Sequence, residues 1–255
     1  MDDHHEHEAA SEEARRILNA AHEDGVTLRL IGGLAIRFHC HGPHVSHLRE
    51  YHDIDVLGLG KESEAIVKTF RRLGYSPNFK YNLLYGGSRL QFVDDTTGKN
   101  VDVFLDRFSM DHTLDFRERL RLDDVTIPVT DLLLTKLQIV RLTGKDVKDM
   151  VAILEDHELG RKDDRETLNV DYVARLCASD WGLYKTITEN LRKLDELIDD
   201  TMSDPKEKRE LEMKLEATRT AITEARKGIR WRIRDLIGER KRWYEEVEVG
   251  EGEAY

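Results

Sequence analysis

The chain has 255 residues, enough for one large domain or two smaller ones, with 39% hydrophobic and 36% charged residues. Its formal net charge of −11 is not that of a general nucleic-acid binder, which relies on Lys and Arg, although a local basic groove stays open. Two cysteines, Cys40 and Cys177, with no CxxC pair give no disulfide framework or structural zinc site, and no apolar run approaches the ~20 residues that span a bilayer.

The first ten residues are acidic and histidine-rich (His4, His5, His7) with no apolar segment. They read as a disordered tail rather than a secretory signal, so a cytoplasmic chain with no membrane partner is expected. A first helix is expected over 11–23, capped by Ser11, with Ala14, Ile17, Leu18 and Ala21 on one face. A short buried strand over 26–31 follows, then Gly32-Gly33, then a helix start over 34–39. Residues 53–57 read as a second strand and 62–73 as a helix ending at Gly74. A short strand and a hairpin turning at Gly86-Gly87 are expected over 75–93. Residues 101–105 alternate as a half-buried strand does, and 117–128 suggest another strand pair.

From Thr130 the pattern turns helical, with an apolar stripe of Leu132, Leu133, Leu134, Leu137 and Val140, and a second helix over 147–157. The polar run 160–165 is a candidate boundary. Three further helices are expected over 170–178, 181–201 and 206–242, with Pro205 suited to the first turn of the last. Leu211, Leu215, Ile222, Ile229, Ile233 and Leu236 give that last helix a narrow apolar seam, which fits an antiparallel helical pair or a homodimer contact. The expected organisation is a tail (1–10), an α+β catalytic domain (11–128) with a mixed sheet and flanking helices, a helical C-terminal region (129–244) and an acidic tail (245–255).

Three features carry chemistry. Gly32-Gly33, between a strand and a helix, lets the backbone approach a phosphate where helix N–H groups are available, although an ordinary tight turn uses the same pair. In Asp53-Ile54-Asp55 the two carboxylates lie two apart on a strand and project to one face. Two like charges repel, and a hard divalent cation such as Mg2+ or Mn2+ relieves that cost; a solvated strand end is the bland alternative. Asp102, in a second apolar strand, can join them if the two strands are neighbours. Three carboxylates could then hold two metal ions about 3.5–4 Å apart for phosphoryl transfer. Asp106 competes for this third position, but it lies at the strand end beside Arg107.

Strand, Gly-Gly, helix, Asp-x-Asp and a later strand carrying a third Asp together resemble the nucleotidyltransferase superfamily related to polymerase beta. The stretch from Gly32 to Val56, with Arg49 shortly before the Asp-x-Asp, is similar to AbiEii-type toxin nucleotidyltransferases and to aminoglycoside or lincosamide nucleotidyltransferases. The toxin-type pattern continues at Lys136, Arg141, Asp146 and Asp149. The interval between Gly-Gly and Asp-x-Asp is a few residues longer than usual. The resemblance covers about 28–157 and implies an NTP substrate, with Gly32, Gly33, Arg49 and Lys136 at the nucleotide. Asp146 would position the nucleotide or act as a base. The acceptor implied is RNA or protein, with a cognate antitoxin as partner; a small-molecule acceptor is the alternative. A non-catalytic nucleotide-binding scaffold is a reading of another class. From the residues alone, Lys136 reads rather as a snorkelling surface lysine and Arg141 as a structural salt-bridge partner, while Asp146 reads equally as an N-terminal helix acid.

Two other clusters have plainer explanations. His39, His41, His44, His47 and His52 read as a polar loop rather than a transition-metal site. The basic and aromatic residues of 226–243 can contact RNA, but interspersed acids favour a solvated helix packing Trp231 on its neighbour.

Overall fold

Alternating apolar and polar residues in the first half of the chain build a five-stranded mixed sheet in the computed structural model, which describes residues 3–41, 53–201 and 204–246. The elements in chain order are α1 (Asp3–Glu23), β1 (Leu28–Ile31), α2 (Gly32–His39), β2 (Ile54–Gly58), α3 (Ser63–Arg72), β3 (Tyr75–Pro77), α4 (Phe79–Tyr85), β4 (Arg89–Asp94) and β5 (Asn100–Leu105). Two short strands follow, β6 (Arg107–Ser109) and β7 (Thr113–Asp115), then α5 (Val129–Leu137), α6 (Gly144–Asp156), β8 (Leu159–Gly160) and β9 (Leu168–Asn169). The chain ends in α7 (Val170–Ser179), α8 (Trp181–Thr201), α9 (Pro205–Glu224) and α10 (Ile229–Ile237). The result is an α+β fold: a mixed sheet, flanking helices and a helical C-terminal region. The described residues form two compact units: 3–41, 53–108, 114–132 and 164–166 make the first, and 109–113, 133–163, 167–201 and 204–246 the second.

In the first unit the strand order is β1-β2-β5-β4-β3, with β2 and β5 parallel and the other neighbours antiparallel. Successive side chains point to opposite faces, so registration sorts the residues into two sets. Leu28, Leu30, Ile54, Val56, Leu90, Phe92, Val101, Val103 and Leu105 make one face, and all are buried. Phe70 of α3 stacks on Phe92 there, at 4.1 Å between ring centroids. Asp55, Leu57, Asp102, Phe104, Gln91 and Arg89 share the opposite face, which thus holds two of the acids singled out in the sequence.

Several expectations change. The tail over 1–10 is helical from Asp3 onward, extending α1 upstream of Ser11; the expected apolar face, Ala14, Ile17, Leu18 and Ala21, is buried. The hairpin over 75–93 is interrupted by α4, because the Asn78 side chain caps that helix by accepting from the Tyr81 N–H at 3.3 Å. The strand pair over 117–128 is reduced to one isolated bridge, Leu30 with Thr126, where residues 125–127 run beside β1. A longer pairing has no continuation because Asp123 turns the chain, accepting from the Val125 and Thr126 N–H groups.

In the second unit, the helix expected over 206–242 is two helices. It stops after Glu224, where Ala225 adopts ψ 132°, and resumes from Gly228. Leu211, Leu215 and Ile222 of the expected seam are buried, whereas Ile229, Ile233 and Leu236 are 78%, 55% and 81% exposed. The second half docks through its other face: Trp231 donates to the Cys177 carbonyl at 2.9 Å and its ring meets Tyr184, while the Arg234 guanidinium lies over Trp181. Burial pushes the Cys177 thiol up to about 12, which suits a packing residue rather than a nucleophile. No helix among the described residues is long and apolar enough to cross a membrane.

The stacked pair Phe70–Phe92 joins the sheet to α3 at the centre of the first core. Phe92→Ala is expected to remove about 3–5 kcal/mol of stability, read as a lower midpoint in urea denaturation.

Candidate active site

The second face of the sheet brings two of the sequence-predicted acids together. Asp55 of β2 and Asp102 of β5 are register partners on adjacent parallel strands, so both carboxylates emerge side by side on the same face. Asp53 immediately precedes β2, is exposed, and lies two residues before Asp55, the spacing that shares a face along extended chain. Ile54 between them goes to the core face and is buried.

Gly32 closes this site from the side of β1. Ile31 is the register partner of Asp55 on that strand, and Gly32 opens α2 directly after it with φ +77°. A Cβ at position 32 would lie 3.1 Å from Asp55 Oδ2. Glycine is therefore required twice, by backbone conformation and by the approach of the carboxylate. Gly33 is the second residue of α2. Ile31, at the N-cap, has no side-chain acceptor to offer the start of this helix, whose first N–H groups are the kind that an anion can satisfy.

Asp102 is held by neighbours on β4 that the sequence reading did not single out. Gln91 Nε2 donates to Asp102 Oδ1 at 3.2 Å, and an Arg89 guanidinium nitrogen lies 3.0 Å from Oδ2. Gln91 is itself fixed by α4: its backbone N–H donates to Asn82 Oδ1 at 2.8 Å and its side-chain oxygen accepts from Asn78 Nδ2 at 2.6 Å. The available signal was the Arg-x-Gln spacing in an alternating strand, which puts both polar groups on one face. Burial pushes the Tyr81 phenol above its ordinary value, against the pull of Arg89 and with the Asp102 charge adding, so Tyr81 stays protonated at neutral pH. Asp106 has a different task. It sits at φ +63° and its Oδ1 accepts from the Gly60 N–H at 3.0 Å, closing the turn after β5.

The remaining predicted residues are placed as follows. Arg49, His44, His47 and His52 lie outside the described residues. His39 is buried; its Nδ1 lies 3.0 Å from Glu166 Oε2, and its Nε2 contacts the Thr126 hydroxyl. Arg141 is exposed in the loop between α5 and α6 rather than on a helix.

Lys136 is buried in the second unit, not on a helix surface, with its ammonium 3.0 Å from Asp146 Oδ1 and 2.9 Å from Asp149 Oδ2. Asp146 is also the third residue of α6 and completes a capping box: its Oδ2 accepts from the Thr143 N–H and hydroxyl, and Thr143 accepts from the Asp146 N–H. Burial alone would raise the Asp146 carboxyl, but Lys136 and Thr143 outweigh it and hold the group below the usual carboxylate range. Burial likewise opposes the Lys136 charge, and the two carboxylates overcome it, raising the ammonium above its ordinary value. This is a satisfied buried ion cluster tying α5 to α6.

No protein-family model matches the chain, and no curated protein is similar to it in sequence. Among solved structures it is similar to the solution structure of the antibiotic-resistance factor ANT(2'')-Ia, with 16% identity and a TM-score of 0.39 over 64% of this chain and 91% of that one. A likeness that distant carries no argument about activity, which rests on the residues themselves.

Two outcomes follow from this geometry. Gly32→Ala should lose about 1–2 kcal/mol in denaturant titration, because alanine is strained at that φ and its methyl crowds Asp55. Asp146→Asn should destabilise the chain at pH 7. Its deficit should shrink as pH falls below about 4, because a carboxylate with a depressed folded pKa contributes stability only above its unfolded value and loses it on protonation. Thermal midpoints of both proteins between pH 3 and 7 read the difference; a pH-independent gap would contradict the ion-cluster account.

Proposed function

We propose that the chain is a metal-dependent nucleotidyltransferase that moves a nucleoside monophosphate from an NTP to an acceptor hydroxyl or amine and releases pyrophosphate. The observation that carries this reading is the in-register pairing of Asp55 with Asp102 across parallel strands, with Gly32 seated on the Asp55 carboxylate. Asp53 supplies a third carboxylate within two residues. Crowding acids on a sheet face is costly without a cation, and a set of carboxylate oxygens fits a hard divalent ion, Mg2+ or Mn2+. Such an ion, held by Asp53, Asp55 and Asp102, would supply charge neutralisation on the triphosphate and activation of the attacking group.

The chain's own residues have separable tasks in this reading. Gly32 and Gly33 hold the triphosphate by backbone N–H groups at the start of α2. Asp102, oriented by Gln91, takes the proton of the acceptor as its oxygen or nitrogen bonds to the α-phosphorus and the bond to pyrophosphate breaks. The resemblance assigns Lys136, Asp146 and Arg49 to the nucleotide as well. Within their own unit Lys136 and Asp146 hold each other, so any phosphate contact by Lys136 competes with two carboxylates. The toxin-type resemblance makes RNA or protein the acceptor.

The test is incubation of the purified chain with each α-labelled NTP, Mg2+ or Mn2+, and either total RNA or cell extract. Transfer of label onto a macromolecule is expected, reduced at least about a hundredfold by Asp102→Asn and abolished by the Asp53→Ala/Asp55→Ala double substitution. Full metal-dependent transfer by Asp102→Asn would remove that residue from the site. Absence of NTP binding would defeat the enzymatic reading altogether.

A further inference from the structure

Both oxygens of Asp102 are engaged by the chain itself. Oδ1 accepts from Gln91 Nε2 at 3.2 Å, and Oδ2 lies 3.0 Å from the Arg89 guanidinium. Arg89 reaches across from β4, on the sheet face that also carries Asp55. Its guanidinium carbon lies 4.4 Å from the Phe104 ring centroid and 5.9 Å from that of Tyr81. Phe104 is the register partner of Arg89 and follows Asp102 by two residues, so the guanidinium rests on an aromatic shelf beside the acids. The Arg89 Nε is buried and has no hydrogen-bond partner among the described residues. A purely structural ion pair gains nothing from a desolvated, unspent donor, whereas a guanidinium that must accept a second partner needs one.

We infer that Arg89 is a displaceable counter-ion of Asp102, which passes to a phosphate oxygen of the NTP when a divalent cation takes the Asp102 carboxylate. The inference rests on the nucleotidyltransferase reading and adds a coupling to it. One carboxylate oxygen cannot serve a guanidinium and a metal ion at full strength, so Arg89 opposes metal binding while no nucleotide is present. A phosphate offers the same guanidinium a bidentate partner, and the aromatic shelf keeps it within reach of the site. Gln91, anchored by Asn78 and Asn82, keeps the other oxygen and the orientation of Asp102 throughout. Metal and nucleotide then bind together, and the coupling is reciprocal.

Calorimetric titration of the full chain with Mn2+, with and without a non-hydrolysable α,β-methylene NTP analogue, tests this. Arg89→Gln is expected to bind Mn2+ about tenfold more tightly than the wild type without the analogue, within the usual range of site coupling. Analogue binding at saturating Mn2+ is expected to weaken by about the same factor. Thermal midpoints check that the fold is intact. Should Arg89→Gln not fold, Arg89→Lys keeps the charge but loses the fork; it is expected to retain weak Mn2+ binding and to lose analogue affinity. Unchanged or weaker Mn2+ binding by folded Arg89→Gln overturns the counter-ion role, and tighter Mn2+ with unchanged analogue binding overturns the transfer to phosphate. A wild-type chain that binds neither probe defeats the nucleotidyltransferase reading and this inference with it. Wild-type binding of both, with Arg89→Gln behaving identically, defeats only the inference.

Discussion

β2 and β5 run parallel and in register, and this alignment sets both faces of the first unit at once. Because side chains alternate along each strand, pairing Asp55 with Asp102 also pairs Val56 with Val103 and Ile54 with Val101. A slip of one residue would send the acids into the core beside Phe92 and the valines into the site. The hydrophobic effect therefore holds the carboxylates in place indirectly: burying Ile54, Val56, Val101 and Val103 leaves Asp55 and Asp102 nowhere to point but the opposite face.

Around that register the chain arranges polar groups that answer the carboxylates' charge. Gly32 comes close because it has no Cβ, Gln91 is held by Asn78 and Asn82, and the Arg89 guanidinium lies over the Phe104 ring. Short α4 matters here out of proportion to its length. It connects β3 to β4, and its N-cap Asn78 and its own Asn82 are the two asparagines that orient Gln91 toward Asp102. Gln91 is thus held from two sides, whereas Arg89 reaches Asp102 from the same strand as a long side chain.

The second unit solves a different problem with similar parts. Lys136 is buried, which is tolerable only because two carboxylates surround it, and one of these, Asp146, also caps α6. Lys214 does the corresponding work at the other end of α6, donating to the carbonyls of Leu154 and His157 at 2.8 Å each. Charges that read as solvated in the sequence are here connectors between helices.

Much of this was legible in the sequence. Period-two alternation located β2 and β5, the apolar stripe located α1, Gly-Gly marked the strand-to-helix junction, and the alternation through Ile54 and Asp55 sent one to the core and the other to the opposite face. These are local properties, dictated by backbone geometry and by which side chains water rejects. What only the tertiary structure decided was partnership. That β5 lies beside β2 puts Asp102 against Asp55, that β4 lies beside β5 brings in Arg89 and Gln91, and the break at 225–228 turns Trp231 inward and leaves Ile229, Ile233 and Leu236 outward. Lys136 and Asp146 could each be read two ways from their own neighbours, because the energy of a buried ion pair depends on a residue elsewhere in the chain. Sequence determines what each segment can bury and which face its charges take; the packing of segments far apart in sequence determines which charges meet.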